Sequence, residues 1–277
     1  MKYLRFYLLT ALFFGGLPTA FAQFTLVGQV QVQGTQQPLP FVNIGIRGKN
    51  TGTVADADGS FQLRVPIERQ LDTLTFSAVG YQEQAWPLVQ LRSRHPLIIR
   101  LVEKPTLLRE VVIRAKQPKT RRIGTTTHNP FLWGQVQRKD SHDMVEFAKL
   151  IPLAGKPTEL LQAHIFLRYP TEDSLTFRLN FYRADQDLPT TRLVEQALVV
   201  RTAVKNGWLT IELAPYALAL QTDFYLGFEF LPGKSASVPS FSYGGQFGGS
   251  AVSRTSSLGT WKREPGASLS AYVTVRQ

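Results

Sequence analysis

Residues 175–182 read Leu175-Thr176-Phe177-Arg178-Leu179-Asn180-Phe181-Tyr182, with leucine or phenylalanine at every second position. Successive side chains of an extended chain point to opposite faces, whereas a helix returns to one face every ~3.6 residues, so this period predicts a strand with one apolar and one wet face. The pattern recurs to either side. Phe224, Leu226, Phe228 and Phe230 share one face of a later run, and Leu269, Ala271, Val273 and Val275 alternate with Ser270, Tyr272, Thr274 and Arg276. Toward the N-terminus, Phe61, Leu63 and Val65 alternate with Ser60, Gln62 and Arg64. Helical periodicity is scarce. Strands with one apolar face bury it by packing antiparallel sheets against each other, so the expected fold class is all-β, built as two antiparallel β-sandwiches.

Turn signals set the strand boundaries. Gln37-Pro38-Leu39-Pro40 separates a strand at Thr25–Val32 from one at Phe41–Arg47, and Gly48–Gly52 and Asp56–Gly59 bracket a short strand that leads into Ser60–Val65. Further strands are expected at Thr73–Ser77, Gln82–Val89, Leu97–Val102 and Arg109–Ala115. About seven or eight short strands in roughly 90 residues suit one small sandwich. Residues 116–125 are polar and basic and contain Pro118, which places a domain boundary there. Beyond it, strands are expected at Val145–Leu153 (preferred over two helical turns), Gln162–Tyr169, Ser174–Arg183, Gln196–Val200, Trp208–Leu213, Thr222–Leu231, Ser240–Tyr243 and Leu269–Arg276, with a Gly- and Ser-rich stretch from Gly233 to Gly266 read as weak strands and mobile turns.

The first 22 residues carry Lys2 and Arg5, an apolar run from Phe6 to Leu17, and Ala20-Phe21-Ala22. That order fits a cleaved export signal, and the run is shorter than the ~20 apolar residues that span a bilayer. The expected organisation is a signal peptide (1–22), a first sandwich (23–103), a strand plus basic linker (104–125) and a second sandwich (126–277). No transmembrane segment is expected after cleavage. Among 277 residues, 43% are hydrophobic and 18% charged, the balance of a globular chain. With no cysteine, the chain has no disulfide, thiol nucleophile or cysteine zinc site. Removing Lys2 and Arg5 leaves 29 bases against 20 acids, a net of +9. Export makes nucleic acid an unlikely counterpart for that charge and favours a glycan or an anionic surface. Seven of the bases crowd between Lys104 and Arg122 beside the single acid Glu110, and the plainest reading is a solvated tether.

Residues 24–102 resemble the carboxypeptidase regulatory-like domain, a small transthyretin-like (prealbumin-like) sandwich. Val27-Gly28-Gln29-Val30 is similar to its opening G-x-V strand, and Pro38-Leu39-Pro40-Phe41-Val42-Asn43-Ile44 to its PLPxAxV segment. Gly48–Thr53 is similar to its GT hairpin, Asp56-Ala57-Asp58-Gly59-Ser60-Phe61 to its TDxDGxF turn, and Leu74–Tyr81 to its LxFSxxGY strand. Asp56 and Asp58 also fit the start of a calcium loop, but its later carboxylates are missing, so a structural turn is the better reading. In better-known relatives this sandwich follows a zinc carboxypeptidase or precedes an outer-membrane TonB-dependent receptor, and Leu107–Ile113 is similar to the segment that follows it in such receptors. The roughly 160 residues that remain are too few for a plug and a barrel of about 22 strands, so no transport function is expected from the resemblance. The second half resembles uncharacterised, jelly-roll-like sandwich halves of exported Gram-negative envelope proteins, which implies no chemistry.

Catalytic motifs are not apparent. None of His95, His128, His142 and His164 has Glu three positions later, as a carboxypeptidase zinc site requires, and no G-x-S-x-G or phosphate-binding loop occurs. The acids Glu146, Asp173, Asp185, Asp187 and Glu229 are expected at turns or on wet faces. No catalytic, cofactor or metal residue is assigned. For binding, flat aromatic side chains on sandwich loops can stack on sugars or anchor partners. Tyr243 and Phe247 in the Gly-rich stretch and Trp261 after Gly259-Thr260 are the contact residues expected, while Trp208, which opens an alternating strand, is expected in the core. The sequence thus points to a non-catalytic binding or scaffold protein of the cell envelope, located in the periplasm, on the outer-membrane surface or outside the cell. Its partner would be an outer-membrane or envelope protein, or a glycan. A carbohydrate-binding protein of a polysaccharide uptake system and an unrecognised hydrolase are the alternatives.

Overall fold

The computed structural model describes residues 22–104, 119–136, 142–168, 174–203, 205–232 and 241–277. Most of the expected export signal and the strand expected at Arg109–Ala115 lie outside the described residues.

Seven strands and a short helix form the first lobe: β1 (Gln23–Val32), β2 (Asn43–Gly45), β3 (Gly52–Val54), β4 (Ser60–Pro66), β5 (Thr73–Ser77), β6 (Gln84–Pro87), α1 (Leu88–Arg92) and β7 (Ile98–Leu101). They make two sheets, β4-β1-β7 and β3-β2-β5-β6. The pairings are antiparallel except β1 with β7. The alternation read at Phe61–Val65 is realised, since Phe61, Leu63 and Val65 are buried in one core with Val30, Ile44, Phe76 and Ile99. The turn before them works as the motif suggests. Gly59 has φ +75°, and Asp58 Oδ1 accepts from the backbone N–H of Ser60 at 3.1 Å. One expected strand stops early, because Pro87 cannot donate to the ladder and the chain turns helical, burying Leu88 and Leu91.

The second lobe contains β8 (Thr120–Gly124), β9 (Trp133–Gln135), β10 (Val145–Ile151), β11 (Thr158–Arg168), β12 (Leu175–Asp185), β13 (Leu188–Arg192), β14 (Leu198–Thr202), β15 (Gly207–Glu212), β16 (Ala219–Leu220), β17 (Phe224–Phe230), β18 (Ser242–Arg254), β19 (Lys262–Leu269) and β20 (Ala271–Arg276). Two layers enclose a second core of Phe177, Leu179, Phe181, Phe228, Ile165 and Val273. One layer runs β13-β12-β17-β10-β18, the other β11-β20-β8 with β15 beside β11, and the long strand β18 pairs into both. The all-β class and its sandwich architecture are therefore as expected.

Three local expectations are corrected. Thr120–Gly124, read as the end of the basic linker, is an edge strand paired with β20, with Ile123 packed toward the core. The Gly-rich stretch, within its described part, is a β18–β19 hairpin whose register shifts between Phe247 and Ser250. Two of its glycines serve close packing: a Cβ on Gly244 would come within 2.8 Å of the Phe166 ring, and one on Gly245 within 3.1 Å of Leu132. Finally, the faces of β12 and β17 expected to be wet are dry. Arg178, Asn180 and Tyr182 are buried, and every residue of β17 is buried, because the first lobe lies over that layer.

Candidate functional site

The covered face carries a row of four charges. Across β18, β10, β17 and β12, Arg254 stands opposite Glu146, Glu146 opposite Glu229, and Glu229 opposite Arg178. Both carboxylates are fully buried, which corrects the expectation of exposed acids; of the other three, Asp185 and Asp187 are exposed and Asp173 lies outside the described residues. Arg178 Nε donates to Glu229 at 2.7 Å, and its other nitrogens reach the Phe41 carbonyl and the Asn43 side chain of the first lobe. Asn43 also donates to Glu229, at 3.1 Å. Arg254 Nε donates to Glu146 at 2.8 Å, and Tyr182 OH donates to the same carboxylate at 3.0 Å. Asn180 Nδ2 donates to both acids, at 2.8 and 2.7 Å. Gly227 leaves room for this, since a Cβ there would fall 2.4 Å from Glu146 Oε1. Arg254 further lies over the Trp261 ring at 4.6 Å.

The network is built to hold charge. Burial alone would raise the Glu229 pKa, but the guanidiniums of Arg178, Arg254 and Arg192 outweigh it and bring the carboxyl down to about 2. Burial and the neighbouring carboxylates push the Tyr182 phenol up, against the opposing pull of Arg254. A general acid needs a proton to give near neutral pH, and Glu229 has none. A second clamp closes nearby. Glu195 accepts from Lys104 Nζ at 3.0 Å and from the backbone N–H of Gly80 at 3.2 Å, so the Gly80-Tyr81 motif of the first lobe is a docking point for the second. Backbone bonds add to it: Val54 N–H donates to the His142 carbonyl and Gly48 N–H to the Leu258 carbonyl.

The opposite layer turns a different surface outward. On β11, Ala163 and Ile165 enter the core, so His164 and Phe166 lie on the outer face, with their cross-strand partners Thr210, Trp208 and Tyr272 beside them. The rings form a continuous row. His128 stacks on Phe166 at 3.7 Å, Phe166 meets Trp208 edge-on at 5.4 Å, Trp208 meets Tyr272 at 4.9 Å, and Tyr272 stacks on His164 at 4.1 Å. Arg122 lies 5.7 Å over the Tyr272 ring at one end, and Arg168 lies 4.9 Å over the Trp133 ring, on the strand that pairs beside Gly244. Trp208 is thus half-buried on an outer face, not in the core as expected, because Leu209 and Ile211 take the inward positions of β15. His164 is bridged by the hydroxyls of Thr210 at 3.0 Å and Thr274 at 2.9 Å. Burial first, and then the charge of Arg122, lower its pKa to about 4, so the imidazole is neutral at physiological pH.

The three contact residues expected from sequence occupy different settings. Tyr243 packs its ring against Phe147 at 4.2 Å and covers Gly134; burial, with Glu264 adding, raises its phenol to about 12. Trp261 meets Tyr182 edge-on at 5.6 Å, against the layer that faces the first lobe. Phe247 is exposed on β18, as are Trp133 and Phe131 nearer β9. The structure therefore does not gather Tyr243 and Trp261 into one site, and the outer-face row was missed. Its signal was present as aromatic or polar residues at alternating positions of β11, β15 and β20. Among the described residues, no group of three or more His, Asp or Glu side chains could hold a metal ion, and no helix is long and apolar enough to cross a membrane.

Two stacked lobes, one a small sandwich with the DxDG turn and the GY docking point, define an all-β chain whose charges are used for assembly. The first lobe is identified directly: residues 26–113 match the family model of the CarboxypepD_reg-like domain. The TonB-dependent receptor SusC of Bacteroides thetaiotaomicron is 33% identical over 141 residues, an alignment that covers 51% of this chain and 11% of the receptor. The chain therefore spans about a tenth of the curated relative it matches. Weak likenesses to structures of infectious bursal disease virus, the Gt strain (TM-score 0.30, 10% identical, 92% of this chain and 59% of that one) and the Gx strain (TM-score 0.27, 12% identical, 92% and 77%), do not bear on the fold.

Proposed function

We propose that the chain is an exported, non-catalytic binding or scaffold protein of the cell envelope, with an N-terminal signal (1–22), a CarboxypepD_reg-like lobe (23–103), a connecting segment (104–125) and a second sandwich (126–277) that presents the contact face. The observation that carries this reading is the pairing of the buried acids: Glu146 and Glu229 are engaged by Arg254, Arg178 and Asn180 in holding the lobes together. The similarity of one segment to a TonB-dependent receptor supports an envelope location. Crosslinking in intact cells tests it. Recovery of an outer-membrane or other envelope protein with the chain is the expected result, and recovery of the chain alone overturns it.

The outer-face row favours one form of this function, carbohydrate binding in a polysaccharide uptake system. Planar rings can stack on the apolar faces of pyranoses, and Trp208, Phe166 and Trp133 are the rings that face outward. A glycan array with the wild-type chain and Trp208→Ala distinguishes the two forms. Binding that Trp208→Ala reduces supports the glycan reading, and no binding to any glycan removes it. Phe247 and Trp261 remain proposed contacts to be compared in the same array, and Tyr243, whose ring packs on Phe147, serves there as the packing control.

A further inference from the structure

The lobes do not close on each other everywhere. Beside the charge network they leave a cleft of about 330 Å³ lined by Arg47 and Tyr81 of the first lobe, by Lys104 just after it, and by Thr191, Arg192 and Arg254 of the second. That volume is at the small end of ligand pockets, which favour junctions between domains.

The charges lining it do not balance. Arg47 is bound by Glu83 at 2.6 Å, Lys104 by Glu195 at 3.0 Å and Arg254 by Glu146 at 2.8 Å. Arg192 is the fourth cation. Among the described residues it forms no ion pair, and its Nε is buried without a hydrogen-bond acceptor. Arg192 stands opposite Tyr182 across β12 and β13, so both side chains lie on the face turned toward the first lobe. A guanidinium N–H removed from water calls for an acceptor, and a native structure usually supplies one as water, ion or ligand. The fork of an arginine fits a carboxylate or phosphate in particular.

We propose that this cleft binds a small ligand through one anionic group, a carboxylate or a phosphate, received by Arg192, with Arg47 and Tyr81 at the entrance. Glu83 and Glu195 also line the cleft and Glu146 stands behind Arg254, so three carboxylates face four cations and a singly charged anion makes the count even. This site is separate from the outer-face row, and the two stand or fall independently.

Isothermal titration of the full chain with glucuronate, inorganic phosphate and glucose tests it. The expected result is saturable binding of glucuronate or phosphate but not glucose, with the responding anion identifying the source of the charge. Arg192→Gln is expected to weaken it at least tenfold, while Arg69→Gln, at a half-buried ion pair on the first lobe outside the cleft lining, leaves it unchanged. Arg47→Gln, at an exposed position that can be changed without touching the buried network, provides a second variant if Arg192→Gln does not fold, with an expected loss of threefold or more. No saturable response to either anion, or equal binding by the wild type and whichever of these two cleft variants folds, overturns the proposal.

Discussion

Glu146 and Glu229 face each other across adjacent strands of a buried sheet, and the single amide of Asn180 donates to both. Two like charges in that position repel unless each has a partner of its own, and the sheet provides Arg254 on the outer side of one and Arg178 on the outer side of the other. The order plus, minus, minus, plus lets each acid meet its guanidinium across a single strand spacing. Because Arg178 also binds the Phe41 carbonyl and Asn43, the row doubles as the seat of the first lobe.

Removing one partner leaves the other charged and dry. Arg178→Met is expected to cost about 3–5 kcal/mol, the range for breaking a buried ion pair. The double variant Arg178→Met/Glu229→Met should recover much of that loss, since apolar replacement of a whole pair is often neutral. Urea denaturation of both variants measures it. A double variant no more stable than the single one would show that Glu229 is held by something other than Arg178.

The fit between the lobes is tested at Gly45. A Cβ there would lie 2.4 Å from the backbone carbonyl of Ser257, an atom that cannot swing aside. Gly45→Ala is expected to destabilise the chain by about 1–3 kcal/mol, as overpacking does, and to loosen the lobes while each keeps its own core. Small-angle scattering should show a larger radius of gyration with an unchanged far-UV spectrum. An unchanged radius would mean that the interface relaxes around the methyl group.

Much of this fold was legible in the chain. The strand Thr73–Ser77 falls where it was expected, and the DxDG turn holds the role that its residue types suggest. What stayed hidden depends on pairing. Arg178, Asn180 and Tyr182 look like a wet face because polar residues alternate with leucine and phenylalanine, and only the register of four separate strands reveals that each charge meets its opposite. Likewise, Gly244 and Gly245 read as a loop, since a glycine does not announce that the Phe166 ring or Leu132 fills its missing side chain. Trp208 was misplaced for a related reason: the tryptophan is larger than Leu209 and Ile211, but the smaller residues occupy the inward positions.

Acid should loosen the molecule in two stages. His164 has its pKa lowered to about 4 from 6.5, so the fold favours the neutral ring; this contribution is complete above pH 6.5 and fades as pH falls toward 4. Glu229 is lowered to about 2 from 4.5, so its contribution is complete above pH 4.5 and fades as pH falls toward 2. In both windows the unfolded chain binds more protons, and stability therefore rises with pH. Asp143, whose burial raises its pKa, acts in the opposite direction and is removed by Asp143→Asn. Stability measured against pH should fall from 6.5 to 4 in the wild type and less in His164→Gln. An imidazole titrating near 6.5 by NMR would contradict the first stage.

The outer-face row yields the sharpest contrast between binding and packing. Trp208 touches Phe166 and Tyr272 through ring edges, so truncating it removes ring contacts worth about 0.5–1.5 kcal/mol each while sparing the core between the layers. If the row stacks on a pyranose, Trp208→Ala should weaken glycan affinity about tenfold or more, a larger effect than its modest loss of melting temperature would suggest. Tyr243→Ala should do the reverse, lowering the melting temperature with little change in affinity, because that ring packs on Phe147. Calorimetric melting and binding on the same two variants separate the cases. Equal losses of affinity in both would mean that the measured binding follows general stability and not the exposed rings.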